Sequence, residues 1–207
     1  MNSLIRDLIY EGYLKTDRII EAFSKIRRVD FVPDELESAA EANIPLPIGH
    51  GQTISQPLTV AFMLEKLGAL PGDKVLDVGS GSGWTTALLA HIVGKKGKVI
   101  GIEKIKSLCD FGTNNISKYH LIEGGRAKII CADGSKGYIN GAPYQRILVS
   151  AAASEIPKDL KKQLAVGGRL VIPVKNSIWL IEKKSEKNFQ EEEYPGFAFV
   201  PLINDLG

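Results

Sequence analysis

The stretch KVLDVGSGSGWTTALLA, residues 74–90, decides the fold. A short β-branched run closes on Asp77 and Val78. Three glycines at alternate positions then turn the chain, and an apolar helical segment opens at Trp84. Strand, glycine turn and helix in that order form the first unit of a doubly wound sheet, whose ligands bind outside the carboxyl ends of the strands. The spacing narrows the ligand. A dinucleotide turn reads GxGxxG, whereas Gly79, Gly81 and Gly83 give GxGxG with Trp84 where the last glycine would stand. No Lys-Ser/Thr pair follows, so a phosphate-cradling P-loop is also absent.

Outward from this unit, apolar runs recur at Val99–Ile102, Lys128–Cys131, Ile147–Ser150 and Leu170–Val174. Helical stretches separate the runs at 75–78, 99–102 and 128–131. Buried strands alternating with helices predict right-handed βαβ crossovers and an α/β, doubly wound, mostly parallel sheet covered on both faces. Ile178–Glu182 and Ala198–Leu202 follow without a long helix between them and are expected to form an antiparallel edge.

Upstream, residues 1–40 read as a helical extension. Asn2 or Ser3 can cap a segment with Leu4, Ile5, Leu8 and Ile9 on one face, and Thr16 can cap a second carrying Ile19, Ile20, Phe23 and Ile26. Residues 41–57 lose the helical period, and their prolines and glycines predict a long loop. Such loops in compact proteins are commonly lids or binding segments. The expected organisation is one domain, 1–207: the extension, the 41–57 lid loop, and a sheet core over 58–207.

Composition excludes several classes. The chain has 207 residues with 26 Lys+Arg and 24 Asp+Glu, a net charge of +2. Paired basic residues such as Arg27/Arg28, Lys161/Lys162 and Lys183/Lys184 are spaced by acids without interleaved aromatics, which predicts solvated faces rather than a nucleic-acid stripe. No apolar stretch approaches the ~20 residues a membrane helix needs, and the acidic N-terminal segment is unlike a signal peptide. A cytoplasmic, monomeric protein is expected, with neither nucleic acid nor membrane as partner. Cys109 and Cys131 lack metal or redox spacing and read as bystander thiols; no metal site is expected.

Asp77 followed by the GxGxG turn resembles the first motif of Rossmann-like S-adenosyl-L-methionine-dependent methyltransferases. The resemblance implies that Gly79, Ser80, Gly81, Ser82 and Gly83 let the backbone approach the methionyl part of that cofactor, with Asp77 near its ammonium group. Glu103 ends the next strand, twenty residues beyond Gly83. A carboxylate there can accept from both ribose hydroxyls. Asp133 and Gly134 follow the third strand, where the family places an acid near the adenine amino group. Each feature alone is a common structural device. Three of them at the ends of three consecutive strands favour S-adenosyl-L-methionine.

The segments VDFVP (29–33), LPIGHGQTISQP (46–57), APYQRILVSAAA (142–153), GGRLVIPV (167–174) and FVPL (199–202) resemble, in order, those of protein-L-isoaspartate O-methyltransferases. This resemblance implies methylation of the free α-carboxylate of L-isoaspartyl residues in aged proteins and peptides, which initiates their repair. It assigns Ser55 the catalytic or carboxylate-orienting role, places Gln52, Thr53, Ile54 and Ser55 beside the cofactor, and puts Thr53, Ile54, Ser55, Pro201 and Leu202 along the peptide groove. Thr53 and Ser55 could instead serve only to cap the next helix. His50 reads as a loop residue. Some relatives carry histidines where Leu58 and Val60 stand, and an aspartate where Gln145 stands, so those contacts are not carried over. The chemistry suits the residues, because a carboxylate is ionised at pH 7 and needs no general base. A methyltransferase for RNA or a small molecule, and a cofactor-binding module without catalysis, are the alternatives.

Overall fold

The computed structural model describes residues 2–201 of the chain. Seven strands form one sheet: β3 (Lys74–Val78), β4 (Lys98–Glu103), β5 (Ala127–Cys131), β6 (Tyr144–Val149), β7 (Leu164–Val174), β8 (Ser177–Lys183) and β9 (Phe189–Pro195). Their order is β5-β4-β3-β6-β7-β8-β9, parallel from β5 through β7 and antiparallel for the last two pairs. The chain runs outward from β3 to β5 and then returns to place β6 on the other side of β3. This reversal opens a crevice at the carboxyl ends of β3 and β6.

Alternate residues of each strand enter different cores. Val75, Val99, Leu148 and Val171 join the apolar side chains of α3 (Pro57–Leu67), α4 (Trp84–Val93) and α5 (Lys106–Ser117), with α1 (Ser3–Tyr10) and α2 (Asp17–Lys25) stacked outside. Leu76, Ile100, Ile147 and Leu170 face the other way, against Leu160 of the short α6 (Lys158–Gln163) and Tyr144. Nine of the ten α4 residues are buried, as expected of a helix enclosed on all sides.

The ends of the chain differ from the pattern-based expectation. The strand expected at Ala198–Leu202 is absent over 198–200. Pro201 makes an isolated bridge to Ala152, and Leu202 lies outside the described residues. The outermost strand is instead β9, whose exposed glutamates gave no apolar signal. Residues 41–57 are not simply a loop. β1 (Leu46–Gly49) and β2 (Gln52–Ile54) pair antiparallel in a separate hairpin. Asn2 caps α1 by accepting the Ile5 amide at 3.0 Å. Thr16 stands at the N-cap of α2 but does not cap it; its hydroxyl donates to Glu65, whose other oxygen accepts the Lys15 and Thr16 amides.

The basic pairs are not uniformly solvated. Arg27 is exposed and pairs with Asp30, whereas Arg28 is buried. Lys183 is buried too, donating to the Leu164 carbonyl. Arg28 donates through its Nη atoms to backbone oxygens, whereas Lys183 also pairs with Glu186 at 2.8 Å. Cys109 is a buried free thiol and Cys131 an exposed one.

Candidate active site

A cleft of about 740 Å³, counted to its open mouth, lies over the crevice between β3 and β6. One wall is the glycine turn, with Gly79, Ser80, Gly81 and Ser82, backed by Val78 and closed by Trp84 and Thr85. Positive φ at Gly79 and Gly81, 77° and 50°, lets this turn fold back without side-chain strain. The opposite wall is the β1–β2 hairpin, through Ile48, Gln52, Thr53 and Ile54, followed by Ser55. A Cβ on Gly81 would stand 3.2 Å from Ile48 Cδ1, so the hairpin lies directly over the turn. Its tip is tied down by a 2.7 Å hydrogen bond between His50 Nε2 and Ser107 Oγ at the start of α5.

Glu103 lines the cleft and is 8% exposed. Its Oε2 accepts the Gly81 amide and its Oε1 the Ile105 amide, each at 2.9 Å. The carboxylate is thereby fixed in orientation with lone pairs to spare. Gly134 also lines the cleft. Asp133 does not, and its Oδ1 accepts the Ser135 amide at 2.8 Å to shape the turn that carries Gly134.

Asp77 sits behind the wall, fully buried, with Oδ2 accepting the Thr85 and Thr86 hydroxyls at 2.7 and 2.6 Å. Burial is the main cause of its pKa being raised to about 6; the two threonine bonds oppose the shift and the nearby Glu103 charge adds to it. Its Oδ1 and the Ser80 hydroxyl are buried without a hydrogen-bond partner among the described residues. Two unsatisfied polar atoms at a glycine-rich turn suit a ligand bearing polar and cationic groups. Gly83 is also set back from the cleft. A Cβ there would come within 2.8 Å of the Gly112 carbonyl oxygen, so this glycine permits α4 and α5 to approach.

Thr53 and Ser55 line both this cleft and an adjoining groove formed with Pro45, Gln56, Thr59, Ser150, Phe199 and Val200. Pro201 reaches the cleft rim. Neither Thr53 nor Ser55 caps α3: Gln56 holds the N-cap position, and the Leu58 amide is taken by Asn43 Oδ1. Sequence reasoning did not anticipate Ile48, Lys104, Ser150, Ala151 or Val200 in the lining. Ser150 and Ala151 fall within the quoted 142–153 segment, which held that signal. No histidine lines the cleft among the described residues: His50 is engaged by Ser107, His91 lies 3.5 Å from Glu21, and His120 contacts Glu123.

The sequence pattern of the protein-L-isoaspartate(D-aspartate) O-methyltransferases matches residues 1–207, the whole chain. The chain belongs to that family. A protein-L-isoaspartate O-methyltransferase of Methanopyrus kandleri is 44% identical over 99% of this chain and 91% of its own length. The second such protein of Archaeoglobus fulgidus is 45% identical over 92% of this chain and 87% of its own length. Among solved structures, a Plasmodium falciparum protein described as a protein-L-isoaspartate O-methyltransferase, crystallised with S-adenosyl-L-homocysteine, superposes with a TM-score of 0.88 at 28% identity, covering 97% of each chain. In this family member the QTIS segment at 52–55 faces the glycine turn across the cleft.

Proposed function

We propose that this protein transfers a methyl group from S-adenosyl-L-methionine to the free α-carboxylate of L-isoaspartyl residues in damaged proteins and peptides, the first step of their repair. The observation that carries the reading is the facing of two walls: the glycine turn with Glu103 on one side, Thr53–Ser55 on the other, and a groove leading outward from Ser55. When bound, S-adenosyl-L-methionine supplies an electrophilic methyl group on a sulfonium.

The chain's own residues then have separable tasks. Glu103 accepts the ribose hydroxyls, and the backbone of Gly79–Gly81 with Ser80 and Ser82 receives the amino-acid portion, toward which the free Asp77 Oδ1 contributes negative charge. Asp133 shapes the turn on which Gly134 borders the base. Gly83 acts by allowing the helix behind the turn to pack. Thr53 and Ser55 offer uncharged donors to the substrate carboxylate, and Ser55 orients it. A neutral donor holds the nucleophile without a cation that would compete for it. The hairpin excludes water, which favours the mutual neutralisation of a carboxylate and a positive centre. Catalysis therefore rests on positioning, worth up to about 7–11 kcal/mol in well-oriented systems. No base is needed, consistent with a described cleft lining that holds no histidine.

The same reading has a monomer acting in the cytoplasm, without nucleic acid or membrane. The near-balanced charge supports the lack of a nucleic-acid partner, and no helix among the described residues is long and apolar enough to cross a bilayer. The test is incubation with labelled S-adenosyl-L-methionine and matched isoaspartyl and aspartyl peptides. Selective labelling of the isoaspartyl peptide is expected, and equal labelling of both or of neither would refute it.

A further inference from the structure

Arg28 opens the 3-10 turn Arg28–Phe31 and is only 6% exposed. It has no carboxylate partner among the described residues, and burial lowers its pKa to about 10, which leaves it charged at neutral pH. Nη1 and Nη2 donate only to backbone oxygens, while Nε is buried without a hydrogen-bond partner among the described residues. Nη1 reaches the carbonyls of Ala40 at 2.9 Å and Ala42 at 3.2 Å. Nη2 reaches Ile44 at 2.8 Å and Ser55 at 3.2 Å, with the Ile54 carbonyl at 3.5 Å.

These acceptors are the two feet of the β1–β2 hairpin. Ile44 lies two residues before β1, and Ile54 ends β2. One guanidinium nitrogen therefore closes the base of the segment that carries Thr53 and Ser55. The guanidinium carbon also lies 5.5 Å from the centroid of the Trp84 ring. Trp84 directly follows Gly83 and lines the cleft. A single buried cation thus bridges the hairpin to the glycine-turn wall. An apolar residue could fill the volume but would leave these irregular carbonyls without donors. A lysine ammonium is compact and cannot present a fork to both groups of oxygens.

We infer that Arg28 is a positioning residue for methyl transfer: by pinning both feet of the hairpin and resting on Trp84, it sets where Thr53 and Ser55 stand relative to the glycine turn. The inference rests on the proposed carboxylate-holding role of Thr53 and Ser55. It differs from a purely structural role, in which Arg28 stabilises the chain and every folded molecule works normally.

Arg28→Lys separates the two. S-adenosyl-L-homocysteine sites are counted by calorimetry, initial rates with an isoaspartyl peptide are expressed per site, and backbone hydrogen exchange is followed over 44–56. The variant is expected to bind S-adenosyl-L-homocysteine within about 3-fold of wild type and to lose about 30-fold or more in kcat/KM for the peptide, as displacement of a positioned group by an ångström can cost about 100-fold. Exchange over 44–56 should rise while exchange in β3 and β4 stays unchanged. Wild-type kcat and KM per binding site, unchanged exchange over 44–56, or loss of S-adenosyl-L-homocysteine binding would each overturn the inference. Failure of the wild-type protein to methylate the isoaspartyl peptide would instead sink the proposed function, while exchange would still report whether Arg28 holds the hairpin.

Discussion

Glu103 Oε2 accepts the Gly81 amide at 2.9 Å, so the acid that ends β4 also holds the middle of the glycine turn that follows β3. One side chain couples the shape of the turn to the group that would read a ribose. In Glu103→Gln, an amide nitrogen must face either the Gly81 or the Ile105 amide, leaving one nearly buried donor unpaired. The expected cost is about 1–3 kcal/mol of stability, together with a cofactor affinity reduced by at least about tenfold. Thermal unfolding and calorimetric titration with S-adenosyl-L-homocysteine measure the two effects. Unchanged affinity would remove Glu103 from the cofactor site.

Ser55→Ala removes a hydroxyl from a position that borders both cleft and groove. Turnover should fall by about 10- to 100-fold, the size expected for one lost hydrogen bond to a charged group, while S-adenosyl-L-homocysteine affinity changes little. The fold should be unaffected, since Ser55 provides no cap to α3. Wild-type turnover in this variant would refute its carboxylate-orienting role.

Asp77 makes stability depend on pH in a direction opposite to that of a salt-bridged acid. Burial raises its folded pKa to about 6, above the ordinary 3.8, so between these values the folded chain holds more protons than the unfolded one. Stability therefore falls as pH rises through this window, by at most about 3 kcal/mol in total. Asp77→Asn should lack that fall. Denaturant unfolding of both proteins at pH 4.5 and pH 7 provides the comparison, and parallel behaviour would show that Asp77 does not titrate as stated.

Gly83→Ala should destabilise the protein without touching the cleft. The new Cβ would meet the Gly112 carbonyl oxygen at 2.8 Å and Ile116 Cγ2 at 2.9 Å, at a φ of 86° that alanine resists. A loss of about 2–4 kcal/mol is expected from steric overlap and backbone strain combined. The remaining folded protein should bind S-adenosyl-L-homocysteine normally. A Tm equal to wild type would contradict the packing account.

The central strands were legible because they are largely buried on both faces and so appear as nearly continuous apolar runs, interrupted in β3 by Asp77. The glycine turn was legible because its spacing is chemical. β9 was not: its Glu191, Glu192 and Glu193 are exposed, and only Phe189 and Tyr194 at its two ends pack on the cores, too few for an alternating pattern. The hairpin at 46–54 was masked by Pro47, Gly49 and Gly51, residues that usually break strands. α6 spans only six residues, too few to show a helical period. At the site, Glu103 and Gly134 were identified by their strand-end positions. Asp77, Gly83 and Asp133 were found by the same signal, yet they stand one layer behind the cleft, a depth that spacing alone does not encode. Arg28 was hidden for a different reason. Nothing in an Arg-Arg pair tells which of the two will turn inward.

The acidic run on β9 has a consequence for the company this protein keeps. An outermost strand offers free amides and carbonyls to any extended chain, and aged or partly unfolded polypeptides present many such chains. Glu191–Glu193 and the terminal Pro195 make that border a poor template. If the protein acts as proposed on partly unfolded polypeptides, the β9 edge is the border of its sheet built to resist pairing with them.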